Sequence, residues 1–253
     1  MFSFETRIQV IAFLVAASII GCGRGSAVSP SQSNNSNPTP QQTANSKLSL
    51  NQQQLGTTAD TAPLSKFLSE VMKNRRDQHV AKPGTGEIER TIYVDAESSI
   101  GVGEVIKVIE VAKDAGASPV LLPMIVDFDQ AGDIKPNPLT LLLKIGEPER
   151  KGIIKSGIEL LIGPTISRSE SDTIPKQFVV VKVANDGEYR IDQTVIRKES
   201  LSNELKTRLK TTEDKRVCFV FGVNDDVRYR SLSGVANAAI AAGASEIYLI
   251  ALN

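Results

Sequence analysis

The sequence predicts an α+β protein: two small units, each a mixed sheet with helices packed on one face, placed after a disordered tether. Three observations lead there. The tetrapeptide Ala-Gly-Ala-Ser occurs at 115–118 and again at 242–245. Each copy follows a stretch with helical periodicity and precedes an apolar, strand-like run. The 45 or so residues before the first unit change character, from apolar to uncharged polar.

The N-terminus reads as an address. After Arg7, residues 8–21 are apolar except for Gln9 and Ser18, and Cys22 follows in "IIGC". A spanning helix needs about 20 apolar residues, so this run has the length of a signal-peptide core. "IIGC" resembles the lipobox of bacterial lipoproteins, which implies lipidation at Cys22. The expectation is therefore a signal peptide or anchor at 1–21 and a lipobox cysteine with its tether at 22–46. Residues 26–46 carry no charge and almost no large apolar side chain. Such a composition buries too little surface to offset the entropy of ordering. As a flexible coil it reaches about 25 Å.

The first unit is expected at 47–123. "TIYVDAESSIGVGEVIKVIEVAKDAGASPVLLP" gives a strand, a polar loop, a helix, a glycine and a second strand. In the helix, Val105, Ile106, Val108, Ile109, Ala112 and Ala115 form one face, opposite Glu104, Lys107, Glu110, Lys113 and Asp114. The second unit is expected at 177–253, where "VCFVFGVNDDVRYRSLSGVANAAIAAGASEIYLI" has the same order. Its helix presents Leu232, Val235, Ala236, Ala239 and Ile240, small residues that permit close packing. Val105 lies 11 residues before Gly116, and Leu232 lies 11 before Gly243. Each glycine falls where a left-handed residue ends a helix.

Upstream, both units show a short strand, a polar turn and a Leu-rich helix: Leu64, Phe67, Leu68 and Val71 in one, Leu201, Leu205 and Leu209 in the other. The second unit also has a leading strand, "QFVVVKVA", turned by Asn185-Asp186-Gly187 into a hairpin with "EYRID". The first shows no equivalent, because the tether stands in its place. The connecting segment, 124–176, contains the strand-like runs "PLTLLLKIG" and "GIELLIG" and the surface link "SRSESDTIPK", and receives no further assignment.

"VVVKVANDGEYRIDQTVIRKESLSNELKTRL" followed by the second-unit pattern resembles the periplasmic domain of the ExbD/TolR family of biopolymer-transport accessory proteins. "AESSIGVGEVIKVIEVAKDAGASPVLL" resembles its second half. The resemblance implies a non-enzymatic envelope protein, membrane-anchored with its folded part in the periplasm. It implies an accessory role in biopolymer transport or envelope maintenance, beside a proton-driven motor subunit. It further implies contacts with envelope proteins or peptidoglycan, and a domain that dimerises, here as a homodimer or an internal pseudo-dimer. Two departures stand out. The family's membrane helix carries a proton-handling Asp, whereas 8–21 holds no carboxylate; and Glu97 and Asn224 stand where the family usually has Asp. The alternative is a lipid-anchored scaffold lipoprotein with no motor partner.

The final strand, "EIYLIAL", reaches the C-terminus and is expected to be a sheet edge, with Glu246, Tyr248 and Ile250 as the partner-strand contact. Other chemistry finds little footing. Lys plus Arg and Asp plus Glu both number 29, which argues against nucleic acid. "GVGEVI" lacks the third glycine of a dinucleotide loop. Asp127, Asp129 and Asp133 miss calcium-loop spacing. Asp225 and Asp226 have no nucleophile beside them, and His79 has polar, surface-like neighbours. Cys218, in "RVCFVFGV", reads as a small buried hydrophobe. No catalytic residue, cofactor or metal is expected.

Overall fold

The computed structural model describes residues 45–253 apart from 83, 127–138, 150–151, 168, 170–173, 176, 185–187, 213 and 224. Cys22, residues 1–44 and the segment with Asp127, Asp129 and Asp133 therefore lie outside the described residues, as does Asn224. The elements in chain order are β1 (Lys47–Leu50), β2 (Gln53–Thr57), α1 (Ala62–Asp77), β3 (Ile92–Ala96), α2 (Val102–Asp114), β4 (Val120–Val126), β5 (Leu141–Ile145), β6 (Ile153–Ile162), β7 (Phe178–Ala184), β8 (Glu188–Ile191), β9 (Thr194–Ile196), α3 (Lys198–Leu209), β10 (Arg216–Gly222), α4 (Tyr229–Ala241) and β11 (Glu246–Leu252).

The protein is α+β. The strands expected in two small sheets lie in one mixed sheet of eleven, ordered β2-β1-β5-β3-β4-β6-β11-β10-β7-β8-β9. On one side of β6 the outer pairs are antiparallel and β5-β3-β4 run parallel. On the other, β9-β8-β7 are antiparallel and β7-β10-β11 parallel. Order and direction are thus the same on both sides. What differs is how the chain reaches the inner antiparallel position: β7 precedes its hairpin, whereas β5 follows β4. The first unit does have a counterpart of the leading strand, supplied from the C-terminal side by "PLTLLLKIG". "GIELLIG" becomes β6, between β4 and β11.

Local chemistry accounts for the helices. In α1 the side chains of Leu64, Leu68 and Met72, four residues apart, are all buried. Asp60 accepts the Ala62 N–H at 3.3 Å at its start, and Pro63 fits the first turn. Leu201, Leu205 and Leu209 repeat the spacing in α3. In α2 the buried set is Val102, Val105, Val108, Ile109 and Ala112; in α4 it includes Leu232, Val235, Ala236 and Ala239. Both inner helices end at a left-handed glycine, Gly116 (φ 97°) and Gly243 (φ 84°). Substituting either with Ala places a Cβ in that region; a loss of about 1 kcal/mol is expected, read as a lowered urea midpoint with unchanged slope. The helices pack in the row α1-α2-α4-α3.

Two short strands escaped the sequence reading. Asn51-Gln52 and Asp192-Gln193 have positive φ at both residues (47° and 75°; 46° and 69°). That geometry makes the two-residue turn of a tight hairpin, so the "polar turns" close β1 onto β2 and β8 onto β9. Asn and Asp tolerate the conformation, but Gln in place of Gly conceals the signal. The Asn51 side chain also accepts the Leu142 N–H at 2.9 Å and donates to the Thr140 carbonyl at 3.2 Å, fastening the turn to β5.

The core lies between the sheet and the helix row. Val94, Leu143, Ile145, Val217, Phe219, Ile247 and Leu249 face it, none more than 1 % exposed. Each contributes about 1.5–3 kcal/mol by leaving water.

Candidate functional site

Alternation along a strand fixes which side chains leave the core. In β11, Ile247 and Leu249 are buried under the helices, so Glu246, Tyr248 and Ile250 point to the other face, where they are half-buried. β11 is not an edge: it pairs with β10 along its whole length and with β6 from Glu246 to Leu249. The expected partner-strand contact is corrected on that ground, since its main-chain groups are already used on both sides. The sheet ends instead at β2 and β9.

Strand register assembles the neighbours of these three residues on the helix-free face. Leu161, Tyr248, Cys218 and Val180 sit side by side across β6, β11, β10 and β7. The next row is Ile250, Val220, Lys182, Arg190 and Val195. Val195 is 56 % exposed, one of two large apolar side chains among the described residues that stand out in solvent. Phe178 meets Tyr248 edge to face, with centroids 4.8 Å apart. Glu246 is paired with Arg216 at 3.1 Å. The result is an apolar stripe bordered by charge, in which Tyr248 and Ile250 are half-buried and Cys218 and Val220 are covered.

Burial pushes the Cys218 thiol up from 9.0 to about 12. At pH 8 it stays protonated, so in a Cys22→Ala variant Ellman's reagent should fail to react until denaturant is added; prompt reaction of the folded protein would contradict this placement. The sign for stability follows. The unfolded thiol ionises first, so the folded state is favoured below pH 9 and loses that advantage between pH 9 and about 12.

The two acidic loops meet. Gly101 and Arg228, the residues before α2 and α4, form an antiparallel bridge. Val102 donates its N–H to Val227 O at 2.9 Å, and Tyr229 donates to Ile100 O at 2.7 Å. The Tyr229 hydroxyl donates to Asp95 Oδ1 at 2.9 Å, both groups being buried. The "GVGEVI" helix start is thus held by the main chain of the other loop. Asp225 accepts the Gly222 N–H and Asp226 pairs with Arg228, so the two carboxylates diverge. Glu97 accepts from Ser99 and from the Glu147 N–H. His79 is exposed at the end of α1.

A cavity of about 420 Å³ opens where the start of β7 meets the end of α3, lined by Ile174, Pro175, Phe178, Ile191, Arg208 and Thr211 among others. The Arg208 guanidinium is engaged by Asp192 and Glu204. Its charge is therefore already balanced, and the cavity has a mixed lining, with Asp192, Thr211 and Thr212 beside Ile174, Pro175 and Phe178. Among the described residues no cluster of His, Cys, Asp or Glu has the arrangement of a metal site. Among the same residues no helix is long and apolar enough to cross a membrane.

Searches of protein-family models, curated proteins and solved structures found no match to this chain.

Proposed function

We propose that this chain is a non-enzymatic envelope protein that works by binding, anchored through Cys22 with its folded part in the periplasm and accessory to biopolymer transport or envelope maintenance. The observation that supports this reading best is the repeated strand order on the two sides of β6. Each half has the hairpin, helix, strand, helix and strand that the ExbD/TolR resemblance implies. The two halves lie in one sheet with their inner helices in contact. A domain that works as a dimer would here carry both copies in one chain, and the helix-free stripe around Tyr248 would meet the partner.

The missing carboxylate in 8–21 favours a second reading, a lipid-anchored scaffold that binds peptidoglycan or another envelope protein with no motor subunit. The intact mass of the mature chain from membrane fractions, with Cys22→Ala as control, tests the anchor. An acylated cysteine start, lost in the variant, is expected; a mass beginning at Met1 overturns lipidation. Capture of the motor's larger subunit by the lipidated chain separates the two readings, since the scaffold captures none. The internal pseudo-dimer predicts a monomer in light scattering of the chain from residue 45 onward. A stable dimer at micromolar concentration contradicts it.

A further inference from the structure

The two halves set the same kind of hairpin turn beside the same kind of strand, and bond it differently. β5 in one half and β7 in the other each lie between a parallel inner strand and an antiparallel hairpin. Leu142 of β5 is level with Tyr93, and Val180 of β7 is level with Cys218. Leu143 pairs with Leu50, and Val181 with Ile191, the residues just before the turns Asn51-Gln52 and Asp192-Gln193. One residue further along each register, Asn51 stands opposite Leu142 and Asp192 opposite Val180.

In the first half that place is closed. Asn51 donates its main-chain N–H to the Leu142 carbonyl at 3.1 Å, and its side-chain oxygen accepts the Leu142 N–H at 2.9 Å. Its side-chain nitrogen donates to the Thr140 carbonyl at 3.2 Å. In the second half the place is open. The Asp192 carboxylate pairs with Arg208 instead, and among the described residues no hydrogen bond joins Asp192 to Val180. Ile191 flanks a two-residue turn, so its main-chain groups go to Thr194 of β9. Alternation then aims the main-chain groups of Lys182 and Val180 at the hairpin side. Lys182 meets Arg190, whereas Val180 meets the cavity of about 420 Å³. That volume lies in the range of ligand sites. Phe178 and Val180 line it on the helix-free face, and Arg208, Thr211 and Thr212 line it on the side of α3.

We propose that this notch is a peptide-binding site, and that it takes an extended segment of a partner protein that pairs with Val180 as a continued β8 would. The N–H and C=O of one peptide residue complement the Val180 pair, which otherwise faces the cavity without a strand. Side chains alternate along such a segment. The residue opposite Val180 therefore lies on the helix-free face and is apolar, against Val180 and Phe178. The residue after it faces Arg208, Thr211 and Thr212 and is polar. The inference rests on the equivalence of the two halves and on the binding role proposed above, and gives that role a place and a ligand pattern.

Amide exchange of the full chain, read at single residues, tests the opening. Val180 should exchange about tenfold or more faster than Leu142; equal protection overturns the proposal. The binding probes are the fluorescent peptide acetyl-Ala-Leu-Ser-Ala amide and its counterpart with an N-methylated leucine. Saturable binding of the first is expected in anisotropy, with the Val180 amide protected in the complex. The methylated peptide loses the N–H that meets the Val180 carbonyl and should bind roughly tenfold more weakly. Asp192→Asn supplies the carboxamide that closes the first half. That variant should slow Val180 exchange and lose the peptide while keeping its urea midpoint. Thr211→Trp, at an exposed position on the cavity wall, should weaken binding as well and serves if the asparagine variant does not fold. Absence of binding at millimolar peptide, equal binding of the methylated peptide, or undiminished binding by either folded variant overturns the site. Each of these results leaves the lipid anchor untouched. A chain that begins at Met1 sinks the anchor and leaves the notch standing.

Discussion

Deletion of residues 246–253 is expected to abolish cooperative folding, leaving no thermal transition in far-ultraviolet circular dichroism. The deletion removes Ile247 and Leu249, both fully buried, at about 1.5–3 kcal/mol each in transfer free energy alone. It also strips one of the two strand partners from both β6 and β10. Gly163 and Val223 lose the carbonyls of Leu249 and Leu252 that accept their N–H groups. Phe219 and Val217, at the centre of the core, are left beside an open edge. The two side chains alone come to about 3–6 kcal/mol, and with the lost strand pairing the loss is comparable to the margin of a typical domain, about 5–15 kcal/mol. A truncated chain that still melts cooperatively would show that β11 is dispensable and that its central position is wrong.

Tyr229→Ala should cost about 3–5 kcal/mol, and Tyr229→Phe about 1–3 kcal/mol, in urea unfolding. Tyr229 is the largest of the fully buried side chains among the described residues, at 1 % exposure, and it begins α4 on one side of β6 while its hydroxyl serves Asp95 of β3 on the other. The alanine variant leaves a cavity at that junction. The phenylalanine variant keeps the ring and removes only the donor to a buried carboxylate, so the difference between them separates packing from hydrogen bonding. Combined with Asp95→Asn, the pair should show a coupling of about 0.5–3 kcal/mol. A phenylalanine variant as stable as the parent would mean that the hydroxyl contributes nothing to joining the halves.

These expectations turn on positions that the sequence revealed unevenly. The centre of each described helix's buried face was legible, because Leu64 and Leu68, or Val105 and Ile109, meet on one side through covalent geometry and the 3.6-residue turn; in α1 Met72 takes a buried place while Phe67 and Val71 are half-buried. The glycines that end α2 and α4 were legible for the same local reason. The run "EIYLIAL" also held a signal that was misread: apolar side chains on both faces mark a strand inside a sheet better than an edge. Nearness to the C-terminus says nothing about pairing. The hairpins at Asn51-Gln52 and Asp192-Gln193 were hidden because glutamine stands where glycine usually advertises the turn.

The candidate surface was less legible still. Tyr248 and Ile250 were singled out, but their neighbours Leu161, Cys218, Val180 and Phe178 come from three other strands. The meeting of Tyr229 with Asp95 spans 134 positions, and no local pattern signals it.

By itself, then, the sequence determined the α+β class, the helices with their buried faces, the glycine stops and the uncharged character of 26–46, all consequences of chemistry within a few residues. Tertiary structure decided the rest: that β5 takes the inner place beside β3, that β11 is interior, and that β6 lies between the two halves. The physical reason is that a strand's main chain can pair with any other strand. Its neighbour is chosen by which side chains fill the core together, and that choice is made across the whole chain.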